Sequence, residues 1–147
     1  MGAVSALTVT EKRSAQADVA VKANAIYTRT VKFTLLNGET AGAANLTGLI
    51  IPKDTLILGG SFQTSVAQGG TATFKFGVAT DGDFSTAHAY NSTTKTALKT
   101  PIPLVTTDDR QVVYTTASAA VTAAECELTL LLCAVGTDPA TYGTFTN

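Results

Sequence analysis

An acidic turn follows one of the clearest alternating segments of the chain. Residues 69–84 read GGTATFKFGVATDGDF, and Asp81-Gly82-Asp83 closes the segment. Two carboxylates around a glycine could hold Ca²⁺, but an EF-hand loop needs further oxygen ligands and a glutamate at its twelfth position. The twelfth residue counted from Asp81 is Ser92, and no glutamate lies nearby. Because Asp and Gly favour tight turns, the motif predicts a turn that connects two strands.

His88 is the single histidine, so a zinc site or a Ser-His-Asp triad would have to use it. No GxSxG or HExxH motif surrounds it, and its neighbours STAHAYN predict an exposed loop without chemistry. A pair of carboxylates can also cleave glycosides, and such pairs form only in space. Glu39 and Asp54 lie near the middle strands, whereas Asp108-Asp109 predicts a solvated turn.

Two cysteines, Cys126 and Cys133, lie in one strand-like segment. Seven steps along a strand separate them by roughly 23 Å, far beyond the ~7 Å limit between the Cα atoms of a disulfide. We therefore expect two unpaired, buried cysteines. The segments rich in glycine contain no GxxxxGK[ST] phosphate-binding motif. The sequence thus assigns no catalytic, cofactor-binding or metal-binding residue and predicts a protein that is not an enzyme.

Composition points to a chain that assembles. The 147 residues carry a net charge of -1, and only 14% of them are charged, against roughly 25% in ordinary soluble domains. Weakly charged surfaces rich in small residues do little to stay apart, so we favour interfaces over a monomer with a threonine-coated surface. The scattered basic residues exclude a footprint for nucleic acid.

The beginning of the sequence does not resemble a secretory signal, since no basic stretch precedes an apolar one. The longest apolar run, residues 130–135, is far shorter than the ~18 residues of a membrane span. We therefore expect synthesis in a cytoplasm and no membrane partner.

Alternating apolar and polar residues predict seven or eight short strands, and no amphipathic helix of ten or more residues is evident. The pattern predicts an all-β fold, an antiparallel, jelly-roll-like β-sandwich over residues 25–136. Gly59-Gly60 indicates a bulge. Residues 41–46 predict a loop, and residues 118–125 a turn or a short helical piece. The predicted core residues are Val31, Phe33, Leu56, Leu58, Phe74, Phe76, Leu128 and Leu130.

Residues 1–24 predict an extended N-terminal arm, and residues 137–147 a polar C-terminal tail. Ala17, Val19 and Val21 alternate with polar or small residues, which favours extended structure. Fully extended, the arm would reach up to ~80 Å, enough to contact a neighbouring subunit.

Several of these segments resemble small structural proteins of tailed bacteriophages. The shared features are IPKDTL at 51–56, GGTAT at 69–73, Gly77, DGDF at 81–84 and the late strand CELTLLLCAVG at 126–136. The resemblance covers about residues 25–136 and leaves out the arm and the tail. It implies a jelly-roll-like protein that decorates or cements an icosahedral head, commonly as a trimer, by bridging major capsid subunits.

The partners implied by the resemblance are the major capsid protein and further copies of the chain, and the location is the capsid surface of the virion. Two alternatives stay open. A tail-tube or head–tail joining subunit would form rings, often of six. A carbohydrate-binding β-sandwich module would need exposed aromatic side chains, for which Tyr90, Tyr142 and Phe145 are the candidates.

Overall fold

The computed structural model describes residues 25–38, 44–99 and 103–135. The predicted arm (1–24) and tail (137–147) lie outside the described residues. The described part of the chain contains ten strands: β1 Ile26–Leu35, β2 Ala44–Ile51, β3 Thr55–Thr64, β4 Thr73–Val78, β5 Gly82–Asp83, β6 His88–Ala89, β7 Thr96–Ala97, β8 Leu104–Val105, β9 Arg110–Ala117 and β10 Ala124–Ala134. Within these ranges, no helix is long and apolar enough to cross a bilayer.

The strands form two antiparallel sheets that pack as a sandwich, which confirms the predicted fold class. The first sheet has the order β8-β3-β10-β1, and β7 also pairs with β3. The second sheet has the order β2-β9-β4-β5, and β6 also pairs with β4. Every pair of strands is antiparallel.

Aromatic side chains from both sheets fill the space between them. Phe62 of the first sheet lies 5.3 Å from Phe74 and 5.1 Å from Phe76 of the second sheet, measured between ring centroids. Phe33 stacks on Tyr114 at 4.7 Å. Six of the predicted core residues lie inside or against this core: Val31, Phe33, Phe74, Phe76, Leu128 and Leu130. Alternation along the strands therefore identified most of the buried face.

The prediction for Leu56 and Leu58 was wrong. Both side chains are only half-buried, and Ile57 between them is fully buried. The cause is a bulge, since Leu131 pairs with Gly59 while Leu132 pairs with Ile57. An extra residue in one strand moves the side chains on one side of the bulge to the opposite face of the sheet. Phe62 and Ile57 therefore both face the core, although an odd number of positions separates them. The bulge itself was predicted at Gly59-Gly60.

Strand β2 begins at Ala44, so part of the predicted loop 41–46 is strand. A second irregularity occurs between Gln111 and Val113 of the partner strand β9. Opposite it, Gly48 adopts a φ of 88°, a conformation that glycine adopts without strain. The hydroxyl of Thr47 secures the distortion by donating to the carbonyl of Val112 at 2.8 Å and accepting from the amide of Leu49 at 3.2 Å.

Residues 118–123 form bends and irregular chain rather than a helical piece. A buried glutamine fixes this segment to the loop after β3. The side-chain amide of Gln68 donates to the carbonyl of Thr122 at 3.1 Å, and its oxygen accepts from the amide of Thr122 at 2.7 Å. Both cysteines lie in β10, are buried and form no disulfide with each other, as predicted.

Candidate interaction surface

The acidic turn connects β4 to β5 and binds the protein's own groups. The carboxylate of Asp81 accepts from the hydroxyl of Thr107 at 2.7 Å and from the amide of Thr107 at 2.9 Å. The guanidinium of Arg110 donates to the same carboxylate at 3.2 Å. The hydrogen bonds from Thr107 lower the pKa of Asp81 below its ordinary value. The hydrogen bond and the positive charge of Arg110 lower it further, by a smaller amount. Asp83 pairs with Lys75 at 2.8 Å, so both aspartates have protein partners.

His88 is buried, and the prediction of an exposed loop residue was wrong. It lies in β6, where it pairs with Phe74 of β4. Its Nε2 contacts the hydroxyl of Tyr90 and accepts from the amide of Lys99 at 3.5 Å. Burial, with a smaller effect of the Lys99 charge, lowers the pKa of His88, so the imidazole is neutral near pH 7.

The side chains of Asp108 and Asp109 bind backbone amides. Asp109 accepts from the amide of Lys53 at 2.9 Å, and Asp108 accepts from the amide of Asp109. Glu39 lies outside the described residues. Among the described residues, no group of three or more His, Cys, Asp or Glu side chains is arranged to hold a metal ion.

One shallow depression of about 170 Å³ lies on the outer face of the first sheet, lined by Lys32, Gln63, Thr64, Ser65, Glu125, Cys126 and Glu127. Pockets that bind small molecules usually measure about 300–1,000 Å³. The ion pair between Lys95 and Glu127, at 2.7 Å, further occupies this region. The small size and open shape of the depression therefore favour solvent over a bound organic ligand.

The exposed apolar side chains are distributed unevenly. Among the described residues, the large ones are Ile26, Leu36, Leu46, Ile50, Val66, Val105 and Leu131. Four of these seven lie in β1 and β2 or directly after β1. Leu46 is 63% exposed and Ile50 is 53% exposed, and both project from the outer face of β2. Exposed apolar groups in a cluster, unlike single ones, mark interaction sites.

The strands at the two sides of the sandwich differ in length. In the described structure, β1 and β2 are the outermost strands of their sheets on one side, with ten and eight residues. The opposite side consists of β5, β6, β7 and β8, which have two residues each. Proteins that avoid association keep edge strands short or charged. We call the long edge the β1–β2 side, and its length together with the exposed Leu46 and Ile50 makes it a candidate surface for contact with another chain.

A second apolar feature crosses the outer face of the first sheet. Val105 pairs with Leu56, Leu56 pairs with Cys133, and Cys133 pairs with Ile26. Because directly paired residues share a face, these four form one continuous line over β8, β3, β10 and β1. We call it the outer apolar row. Its two ends are the most open, with Ile26 63% and Val105 47% exposed.

Sequence reasoning missed both apolar surfaces. Leu46 and Ile50 occupy the outward positions of β2, where alternation alone predicts polar residues. The run ANLTGLII has apolar residues at both odd and even positions. This pattern could have indicated that both faces of β2 carry apolar side chains. The outer apolar row depends on the register between four strands, which no local pattern contains.

No protein-family model matches the sequence, and no curated protein matches it. Two solved structures share the fold. A chain of the cyanophage Pam1 capsid asymmetric unit superimposes with a TM-score of 0.61 and 10% identity, over 90% of this chain and 96% of that one. A chain of the acidic stable capsid structure of Helicobacter pylori bacteriophage KHP30 gives 0.54 and 11%, over 74% of this chain and 86% of that one. The protein thus has a β-sandwich fold similar to that of chains found in phage capsids.

Proposed function

We propose that this protein is a structural component of a phage head that decorates or cements the shell. In this role it bridges major capsid subunits and acts as a homotrimer on the outer surface of the virion. The similarity in fold to chains from two phage capsids supports the assignment to a capsid. The sequence resemblance over residues 25–136 supports the decorating role.

The observation that carries the proposal is the β1–β2 side. Within the described residues, two long edge strands are outermost in their sheets and the side chains of Leu46 and Ile50 are exposed. Burial of such side chains in an interface gains about 25 cal/mol per Å² of apolar surface. A chain with 14% charged residues also has few charges to desolvate when it meets a partner.

The proposed mechanism is mechanical. Each subunit contacts more than one capsid subunit, and separation of the shell would require these contacts to break together. Linked contacts bind more tightly than any one alone, because the second contact forms at a high effective concentration. The partners are thus the major capsid protein and two further copies of this chain, with no cofactor and no reaction.

The first test is the molar mass of the purified protein by light scattering over a concentration series. A trimer is the expected result, and the next step is pelleting with empty capsids of the same virus. A hexamer or an open polymer would instead support a tail-tube or head–tail joining subunit. A monomer that fails to pellet with capsids would overturn the proposal and favour a carbohydrate-binding module.

Matched variants locate the contact. Leu46→Lys with Ile50→Lys places two charges on the β1–β2 side and should reduce trimer formation or capsid binding. Val66→Lys is the control, because Val66 is an exposed valine in the loop after β3 and belongs to neither β1 nor β2. Equal binding by both proteins would show that the β1–β2 side is not the contact.

The carbohydrate-binding alternative has lost one of its three aromatic candidates. Tyr90 is buried against Phe62, with 4.3 Å between ring centroids. Tyr142 and Phe145 lie outside the described residues.

A further inference from the structure

The outer apolar row is short and narrow. Four strands spaced about 4.8 Å apart give it a length of about 14 Å. Leu58 and Leu131 lie beside it, half-buried and exposed respectively. The rest of the same face is polar: Thr30 hydrogen-bonds to Thr129 at 2.9 Å, and Glu127 pairs with Lys95. The apolar surface therefore stops within the sheet rather than continuing over it.

The size of the row indicates what kind of partner fits. A stable contact between two folded proteins buries about 800 Å² on each side. Four side chains, of which Cys133 is already buried, cannot supply that area. A single extended segment, with apolar side chains on one face and polar ones on the other, needs far less surface and matches a row bordered by threonines.

The chain carries such a segment ahead of the sandwich. Residues 5–10 read SALTVT, in which Leu7 and Val9 alternate with Thr8 and Thr10 and no residue is charged. Directly before Ile26, the residues that would share its face by alternation are Asn24 and Lys22. The chain that enters β1 therefore brings polar groups to the row, whereas the segment 5–10 brings apolar ones.

The length of chain before Ile26 allows the segment to reach a second copy. Val9 precedes Ile26 by 17 residues, or roughly 56 Å of extended chain. The longest strand, β10, has eleven residues and measures about 36 Å. We propose that the outer apolar row binds residues 5–10 of a second copy of this chain. This inference rests on the proposed assembly into oligomers but not on attachment to a capsid.

A disulfide between different chains tests the proposal. One full-length protein carries Val9→Cys, a second carries Val105→Cys, and both carry Cys133→Ala, so that Cys126, which is buried, is the remaining native thiol. The Val9→Cys chain has a longer affinity tag. The two proteins are mixed, oxidised mildly and separated on a non-reducing gel. A band at the mass of one tagged and one untagged chain is the expected result.

The control mixture replaces Val105→Cys with Val66→Cys, an exposed valine outside the row. Docking brings the two thiols to an effective concentration in the millimolar range, so the Val105 mixture should give at least about tenfold more cross-linked product than the control. Equal yields would overturn the proposal. So would the absence of the mixed band when a single chain that carries both Val9→Cys and Val105→Cys forms an internal disulfide.

Failure of this experiment is separate from failure of the proposed function. Light scattering on the unmodified protein reports the oligomer, and pelleting reports capsid binding, whether or not the row is occupied. A trimer without the specific cross-link would keep the structural role and remove the row as the docking site.

Discussion

The ring of Phe74 occupies the centre of the sandwich and is fully buried. It packs 5.3 Å from Phe62 and 5.7 Å from Tyr90, measured between centroids. Replacement with alanine removes these contacts and leaves a cavity, so Phe74→Ala should lower the free energy of unfolding by about 3–5 kcal/mol. Urea denaturation measures the change. Val66→Ala, at an exposed valine, should shift the transition little, and an unchanged curve for Phe74→Ala would contradict its placement in the core.

His88 gives the folded protein a dependence on pH. Burial lowers its pKa from the ordinary value of 6.5, so the unfolded chain takes up a proton at a higher pH than the folded chain. The contribution of neutral His88 to the free energy of unfolding is therefore fully present above about pH 6.5, and it is lost as pH falls through the lowered pKa of the folded state. The free energy of unfolding should decrease between about pH 7.5 and pH 5, measured by urea denaturation at each pH.

The matched variant is His88→Gln, which keeps a polar side chain but does not titrate. It should lose most of the dependence in this range. The carboxylates of Asp81 and Glu127 titrate in a lower range, because the hydrogen bonds of Thr107 and of Lys95 respectively lower their pKa values. If His88→Gln showed the same slope as the wild type, another group would be responsible.

His88, for which exposure was mispredicted, and Tyr90 show why burial of single residues is hard to predict. Their neighbours in sequence are small and polar, which is typical of surface loops. Their burial comes from pairing with β4 and from the ring of Phe62. These contacts join segments far apart in the chain, so no local window contains them.

At the scale of elements, the hairpin of β4 and β5 depends on a close approach at Gly77. A Cβ atom added there would lie 2.6 Å from the carboxylate of Asp83 and 2.8 Å from the carbonyl of Gly82. Gly77→Ala should therefore push β5 away from β4 and disturb the turn that carries Asp81. We expect a lower unfolding midpoint in urea and faster amide hydrogen exchange in residues 77–84.

Gly70→Ala is the control, since a Cβ atom at Gly70 would meet nothing within 4 Å. It should leave both the midpoint and the exchange rates nearly unchanged. Equal effects at the two positions would mean that the close approach at Gly77 does not support the hairpin.

The strands themselves were largely predictable, and their faces were less so. The run RQVVYTTA, residues 110–117, predicts a strand because alternation and flanking turn residues agree there, and this strand matches β9 in both bounds. In β3 the same reasoning put Leu56 and Leu58 in the core. It predicted a bulge but did not take into account that a bulge moves the residues before it to the opposite face of the sheet. The face that a side chain occupies therefore depends on single-residue insertions as well as on the apolar pattern.

At the scale of the whole molecule, the fold class followed from the sequence, and the candidate surfaces did not. A sandwich requires only that alternating strands bury one face each. The β1–β2 side depends on which strands end up outermost, and the outer apolar row depends on the register across four strands. These properties arise from long-range order, which the single sequence does not encode in any local segment.

The predicted arm, residues 1–24, should contribute to assembly rather than to folding. The aromatic core is built from described residues between 33 and 90 together with Tyr114, so deletion of residues 1–24 should leave the urea transition near that of the full chain. The same deletion should weaken assembly, because it removes the segment proposed to bind the outer apolar row. Light scattering over a dilution series measures the shift to smaller species. Deletion of residues 137–147 is the control for the loss of a terminal segment. Loss of the folded state without residues 1–24 would mean that this segment belongs to the sandwich, and an unchanged oligomer would exclude it from assembly.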